Sequence, residues 1–266
     1  MAMAKTAELV RKAFTDGVLT LTLANPPANA LSMALIGELH AAIDAAADDP
    51  LARVVLIAAQ GHIFSGGHDL KEIAAHRASD ADGGRAYATE LFARCSALML
   101  AIARSPRPVI ATVDGIATAG GCQLVAACDL AVASDRARFC TPGVNNGGFC
   151  TTPHVAIVRA IGRRAALEMA LTGEMFSAAD ALRFGLVNRV FPAEGFAAQA
   201  HAFAAHIASR SAEAIAQGKP ALHAQAEMNL EDAYRFATPV MVEGMLSAAS
   251  AKGMAAFAEK KKVEWR

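Results

Sequence analysis

The first half of the chain shifts between two hydrophobic periods. Val18-Leu19-Thr20-Leu21-Thr22-Leu23 alternates apolar side chains with threonine, the period of a half-buried strand, and Asn25-Pro26-Pro27 closes it. Behind Ser32, a good N-cap, Leu35, Ile36, Leu39, Ile43 and Ala46 return at helical spacing until Asp48-Asp49-Pro50 breaks the run. Residues 53–58 form, after Arg53, an apolar run without alternation, which predicts a strand covered on both faces in the middle of a sheet flanked by helices. The stretch 75–85 is charged, rich in small residues and contains Gly83-Gly84, so it reads as a mobile loop at the mouth of a site. A helix over 85–104 follows. Ser105-Pro106-Arg107-Pro108 ends it, because a residue before proline avoids the helical region, and 109–113 is a second buried strand.

The most apolar helix is expected over 120–128, then a strand over 130–133. A loop over 139–153 carries Pro142-Gly143 and Asn145-Asn146-Gly147-Gly148. Beyond it the pattern is helical near 154–160, 163–171 and 177–184, with one strand over 186–191. A composition shift near 195 divides a core, 1–194, from an amphipathic helical region, 195–266, whose Lys260-Lys261-Lys262 reads as a solvated face.

Composition narrows the functions available. The 266 residues suffice for a sizeable core, and 25 basic against 25 acidic residues leave no summed charge to recruit nucleic acid or an acidic membrane face. The five cysteines, Cys95, Cys122, Cys128, Cys140 and Cys150, are odd in number and contain no C-x-x-C pair, which argues against a disulfide framework and a zinc ribbon. Residues 1–6 run into charge without an apolar signal core, and no stretch reads as a membrane span. The expectation is a cytosolic protein in a reducing compartment. No G-x-G-x-x-G, G-x-x-x-x-G-K or G-x-S-x-G turn points to a nucleotide cofactor or a serine nucleophile. No metal and no cofactor is called for.

One device occurs twice. A strand runs into a glycine turn that opens a helix, first through Phe64-Ser65-Gly66-Gly67-His68-Asp69-Leu70, then through Ala119-Gly120-Gly121-Cys122-Gln123-Leu124. Glycine lets main chain approach a ligand, and the first N–H groups of a helix lack internal partners. Two such turns face to face can grip an oxygen carrying developing negative charge, and each donor in such a hole contributes on the order of 3 kcal/mol. Taken singly, either turn is equally well a tight strand-to-helix connection.

In order along the chain, Asn25-x-Pro-x-x-Asn29-Ala30-Leu31-Ser32, Phe64 to Glu72, Pro108 to Gly115, Cys128 to Ala133, Leu171-Thr172-Gly173-Glu174 and Ala178-x-x-Ala181-x-x-x-Gly185-Leu186-Val187 resemble the enoyl-CoA hydratase/isomerase (crotonase) superfamily. The match spans nearly the whole chain. Ser65 to Glu72, Ala119 to Ala126 and Thr141 to Asn145 resemble one branch of it. The resemblance implies an α/β fold, a crotonase-like spiral of ββα repeats with a helical C-terminal trimerisation region, as a homotrimer or dimer of trimers. It implies an acyl-CoA thioester as substrate, its carbonyl oxygen held by the backbone N–H of His68 and of Gly120. The turn Ala28, Asn29, Ala30, Leu31, the segment Ser65, Gly66, Gly67, Asp69, Leu70, and Gly121, Thr141 and Pro142 would line the CoA and acyl path.

Departures from the family pattern bear on the chemistry. The resemblance implies two glutamates for hydration, and these positions hold Gln123 and Gly143. An amide takes up no proton near neutral pH, and glycine has no side chain. Isomerases of the superfamily place a carboxylate near where Cys150 falls. That thiol is a proton shuttle or nucleophile if the helix starting near Pro153 lowers its pKa, and otherwise a small apolar filler. Asp69 and Asp114 read as turn-stabilising, and Cys122 as packing. Thr141, Gln123, Asn145 and Asn146 are the polar side chains expected around the reacting carbons. The reading is an acyl-CoA enzyme working through a thioester enolate, with hydration impaired. The alternative is a catalytically silent acyl-CoA-binding or scaffold protein.

Overall fold

The computed structural model describes residues 8–265; the segment 1–6, read above for a signal core, lies outside them. A hairpin opens the described chain: β1 (Val10–Thr15) pairs antiparallel with β2 (Val18–Leu23) around Asp16-Gly17, both at positive φ. Only Val10 of β1 is buried, so its hydrophobic pattern carried no strand signal. The Asp-Gly dipeptide was the available clue. Helix α1 (Met33–Asp48) starts where expected, with the Ser32 hydroxyl accepting from Leu35 N–H. It buries Leu35, Ile36, Leu39, Ala42, Ile43 and Ala46.

Three ββα units follow and build the spiral. The first is β3 (Val54–Ala59), β4 (Ile63–Ser65), α2 (Leu70–Ser79) and α3 (Arg85–Arg104). The second is β5 (Val109–Val113), β6 (Ile116–Thr118) and α4 (Gly120–Ala127). The third is β7 (Leu130–Ser134), β8 (Arg138–Cys140), a 3-10 turn (Pro142–Asn146) and α5 (Pro153–Ile161). The first strand of each unit adds to one sheet, β3-β5-β7, and the second to another, β4-β6-β8, all in parallel. The whole of β5 and the first four residues of β3 are buried, as a sheet covered on both faces requires.

α6 (Arg163–Thr172), β9 (Phe176–Ser177), α7 (Ala178–Phe184) and β10 (Arg189–Phe191) complete the sheets. β9 pairs with β8 and β10 with β7. The chain after residue 195 then behaves in two ways. Helix α8 (Phe196–Ala208) packs on the large sheet, where Ala204 and Ala208 share a cluster with Val18, Val54, Leu56 and Ile110. Helices α9 (Ala212–Gln225), α10 (Leu230–Leu246) and α11 (Ala248–Ala258) contain no fully buried residue. Two side chains tie α9 down: half-buried Lys219 donates to the carbonyls of Ile102, Ser105 and Arg107 and pairs with Asp129 at 3.0 Å, and His223 Nε2 lies 2.8 Å from the other oxygen of Asp129.

Three expectations need correction. Residues 75–79 are the end of α2, not a loop, and only Asp80 to Gly84 turn before α3. The 139–153 loop holds the end of β8 and the 3-10 turn. The strand expected over 186–191 is confined to Arg189–Phe191. Helix α3 is also long and apolar enough by composition to cross a membrane. Its Leu91, Cys95, Leu98, Met99 and Ile102 are buried in the hydrophobic core, which accounts for that character.

Candidate active site

Three segments meet at the first residues of α4. The turn 28–31 is fixed by Asn29, which is fully buried at φ 45°. Its Oδ1 accepts from Asn25 N–H, its Nδ2 donates to the carbonyls of Gln60 and Ile63, and its carbonyl accepts from the Ser65 hydroxyl. The Asn29 side chain is therefore committed to the scaffold, and a ligand here meets main chain.

The second segment lies alongside in a parallel bridge. Leu31 N–H donates to Gly67 O at 2.8 Å, and Asp69 N–H to Leu31 O at 3.3 Å. Bridged backbone alternates the direction of its polar groups, so the intervening His68 N–H points away from Leu31. Gly66 N–H is taken by Ala28 O and Gly67 N–H by Ser65 Oγ. His68 N–H has no acceptor among the described residues. Asp69 caps α2 by accepting from Lys71 and Glu72 N–H, and Leu70 is exposed.

Gly120 opens α4 in the third segment, and its N–H likewise has no acceptor among the described residues. The approach of this turn to the second segment demands glycine. A Cβ on Gly121 would stand 2.3 Å from Ser65 O, and one on Gly67, at φ +84°, 3.0 Å from Gly120 N. A Cβ on Gly120 would meet Leu31 Cδ1 at 3.1 Å and the His68 ring, through Cε1 and Nδ1, at 3.2 Å. Ala119, just before, holds φ 48° and ψ −115°, an uncommon backbone conformation for a residue with a Cβ.

The side chain of His68 turns into this junction. Phe92 of α3 meets it edge-on with ring centroids 4.9 Å apart, and burial lowers its pKa to about 4, so the imidazole is neutral at pH 7. A half-buried group next door escaped the sequence reading: Glu72 accepts from Tyr87 OH at 2.6 Å and from Met33 N–H at 3.1 Å, tying α2 to α1 and α3. The available signal was the Asp69-x-x-Glu72 spacing at a helix start. His76 stacks on Tyr87 at 3.8 Å in the same network.

The positions that would carry acid–base chemistry look different. Gln123 is 3% exposed, and its Oε1 lies 3.9 Å from Cys95 Sγ. At Gly143 a Cβ would stand 3.0 Å from both N and Sγ of Cys150. Burial raises the Cys150 pKa, partly offset by a hydrogen bond from the Gly143 backbone, so a thiol and not a thiolate sits there at neutral pH. Thr141 is buried, donating to Met169 O, and Asn145 donates to Gly173 O, so these two side chains brace α6. Asn146 is exposed, and Pro142 starts the 3-10 turn. Cys122 is sealed, donating to Ala117 O. Asp114 pairs with Arg136.

Comparison with known proteins places this arrangement. The model of the family described as enoyl-CoA hydratase/isomerase matches residues 13–266. The chain belongs to the enoyl-CoA hydratase/isomerase family. It is 45% identical over 250 residues, 94% of its length and 83% of the relative's, to the Xenopus laevis protein named enoyl-CoA hydratase domain-containing protein 3, mitochondrial. A solved enoyl-CoA hydratase from Mycobacterium smegmatis superposes with a TM-score of 0.90 at 46% identity, covering 97% of this chain and 98% of that one. The human enoyl-CoA hydratase domain-containing protein 3 does so with a TM-score of 0.90 at 41% identity, covering 97% and 100%. These matches bear out the crotonase-like fold and the branch within the family.

They also correct the cytosolic expectation, since the frog relative and its rat, mouse and human counterparts are all named mitochondrial. That expectation rested on residues 1–6 having no apolar signal core and on unpaired cysteines, and an apolar core marks a secretory signal, not a mitochondrial transit peptide. Thiols stay free in any reducing compartment, so cysteine usage does not single out the cytosol.

Proposed function

We propose that this protein binds an acyl-CoA thioester with its carbonyl oxygen between the backbone N–H groups of His68 and Gly120 and stabilises an enolate there. The observation that carries the reading is that these two N–H groups, on turns packed within van der Waals contact, lack any acceptor among the described residues. Polarising the carbonyl lowers the barrier to every reaction that leaves an electron pair on the α carbon. Main chain of 28–31 and 65–70 lines the CoA path, and Gly121, Thr141 and Pro142 shape the acyl end.

Hydration is the reaction this site supports least. Water addition needs a base and an acid, and Gln123 and Gly143 supply neither. Decarboxylation asks for less: the breaking C–C bond leaves its electron pair in the enolate, carbon dioxide departs, and solvent protonates the α carbon. Double-bond migration and thioester cleavage use the same electron sink but need a proton shuttle. A protonated Cys150 offers only a weak one.

The protein assembles through α9–α11 as a trimer or a dimer of trimers. The support is a groove of about 680 Å³ lined by Ala214, Gly218, Leu222, Val240, Met241 and Met245, on helices with no fully buried residue. Sedimentation velocity checks this, and a monomer at micromolar concentration rules it out.

Calorimetry with a panel of acyl-CoAs, paired with product analysis over long incubations, tests the catalytic reading. Expected are binding of several thioesters, slow enolate-derived product from at least one, and crotonyl-CoA hydration far below that of an ordinary hydratase. The replaced glutamates also favour a second reading, a silent acyl-CoA-binding homologue, for which binding without product is the signature. No binding of any acyl-CoA would sink both.

A further inference from the structure

We infer that the imidazole of His68, through Nδ1–H, is a third hydrogen-bond donor to the bound thioester oxygen, beside the two backbone N–H groups. The inference rests on the acyl-CoA reading above and adds a side chain to a site otherwise built from main chain. Three observations lead to it. The ring is turned into the junction of the two glycine turns, with Nδ1 and Cε1 3.2 Å from where a Gly120 Cβ would stand, so that edge borders the residue carrying the second backbone donor. Its two nitrogens have different surroundings. Nε2 is enclosed by protein with no partner, whereas Nδ1 also has no partner among the described residues but is not sealed. Finally, Phe92 and Leu31 flank the ring and Gly120 with apolar atoms, and among the described residues no carboxylate bonds to it.

The tautomer follows from these surroundings. A neutral imidazole carries one N–H, and an enclosed N–H without an acceptor is rarer and costlier than an enclosed lone pair. The proton therefore resides on Nδ1, the open nitrogen, and Nε2 keeps its lone pair inside. Burial lowers the ring's pKa to about 4, which suits this role: a ring so reluctant to accept a proton is a poor general base at pH 7 but a usable neutral donor. His68 is thus a positioning and polarising group, and it does not stand in for the missing glutamates as a base.

The test compares two probes on the intact protein: butyryl-CoA, which has the carbonyl, and S-butyl-CoA, a thioether that lacks it. Wild type is expected to prefer the thioester. His68→Ala keeps the backbone N–H, and it should shrink that preference roughly fivefold to tenfold, the size of one hydrogen bond. His68→Asn, whose amide nitrogen falls near the place of Nδ1, should restore part of it, whereas His68→Gln, which reaches towards Nε2, should not. Nitrogen NMR of ring-labelled wild type gives a second readout that needs no variant: the Nδ1 resonance is protonated and shifts with butyryl-CoA but not with the thioether. Equal preference in wild type and His68→Ala, or a proton found on Nε2, overturns this inference and leaves the acyl-CoA reading intact. Failure of wild type to bind either probe overturns both.

Discussion

The paired glycine turns and the loop that follows β8 both belong to the proposed site, yet they are built on opposite plans. At the turns the proposed function lies in main chain, and the backbone contacts at Gly67 and Gly121 leave no room for a side chain there. At the 3-10 turn and the segment down to Cys150, function in this family would depend on side chains, and here the positions hold Gly143 and a half-buried thiol. A frame that stabilises charge can therefore outlast the groups that move protons. The first is fixed by packing, whereas the second can be exchanged one side chain at a time.

The sharpest way to break the comparison is at the frame. Gly121→Ala puts a Cβ against Ser65 O at 2.3 Å, a contact between two backbones that no rotamer relieves. The expected loss is about 3 kcal/mol or more of stability, together with loss of acyl-CoA binding, read by urea denaturation and calorimetry. Unchanged stability would show that the turns are not packed as described.

Next in size is an attempt to restore the lost chemistry. Gln123→Glu alone should leave crotonyl-CoA hydration within about tenfold of wild type, because one carboxylate cannot serve as both acid and base. Gly143→Glu alone should destabilise the loop, since its Cβ would lie 3.0 Å from Cys150. Gln123→Glu and Gly143→Glu joined with Cys150→Gly should raise hydration by roughly a hundredfold, at the low end of acid–base contributions. A full gain from Gln123→Glu by itself would mean that a second proton-transfer group is already in place.

Much of this contrast was legible in the sequence, and its limits have physical causes. Period and capping located α1, α3, β3 and β5 because each buries a continuous apolar face. The end of helix α2 gives no sequence signal because the helix buries nothing; the Glu72–Tyr87–His76 contacts that hold it are tertiary. Strands β4, β6 and β8 are three residues each, too short to show a period. At the site, the two glycine turns were visible as motifs. That Asn29, Thr141 and Asn145 spend their polar atoms on the scaffold was not, because the acceptors lie at least 28 residues away in sequence.

A smaller effect is expected from pH, and it reads the frame from inside. The folded His68 has its pKa lowered to about 4, while in the unfolded chain it stays near 6.5. Between those values the unfolded chain binds a proton that the folded chain refuses, so stability falls as pH drops from 7 towards 4. His68→Asn removes this contribution. The variant's unfolding free energy should decline less than wild type's between pH 7 and pH 5, by about 2 kcal/mol. Parallel pH profiles would place the ring in solvent.

The smallest expected effect discriminates most directly between a site that has lost its acids and one that has recruited a replacement. Glu90 of α3 and Glu243 of α10 are the carboxylates most worth suspecting. Glu90 is exposed and already paired with Arg94 one helical turn on, and Glu243 is exposed on a helix with no fully buried residue. An exposed pair of this kind contributes about 0.3–0.5 kcal/mol, so Glu90→Gln should shift the melting temperature barely at all. Any turnover of acyl-CoA should be unchanged in Glu90→Gln and in Glu243→Gln, measured with the substrate that wild type converts fastest. A drop of a hundredfold or more in either variant, with the fold intact, would mean that a helix from outside the glycine turns, or a neighbouring copy, delivers a working carboxylate. The contrast between a kept frame and lost proton transfer would then fail, because the acid would have moved and not vanished.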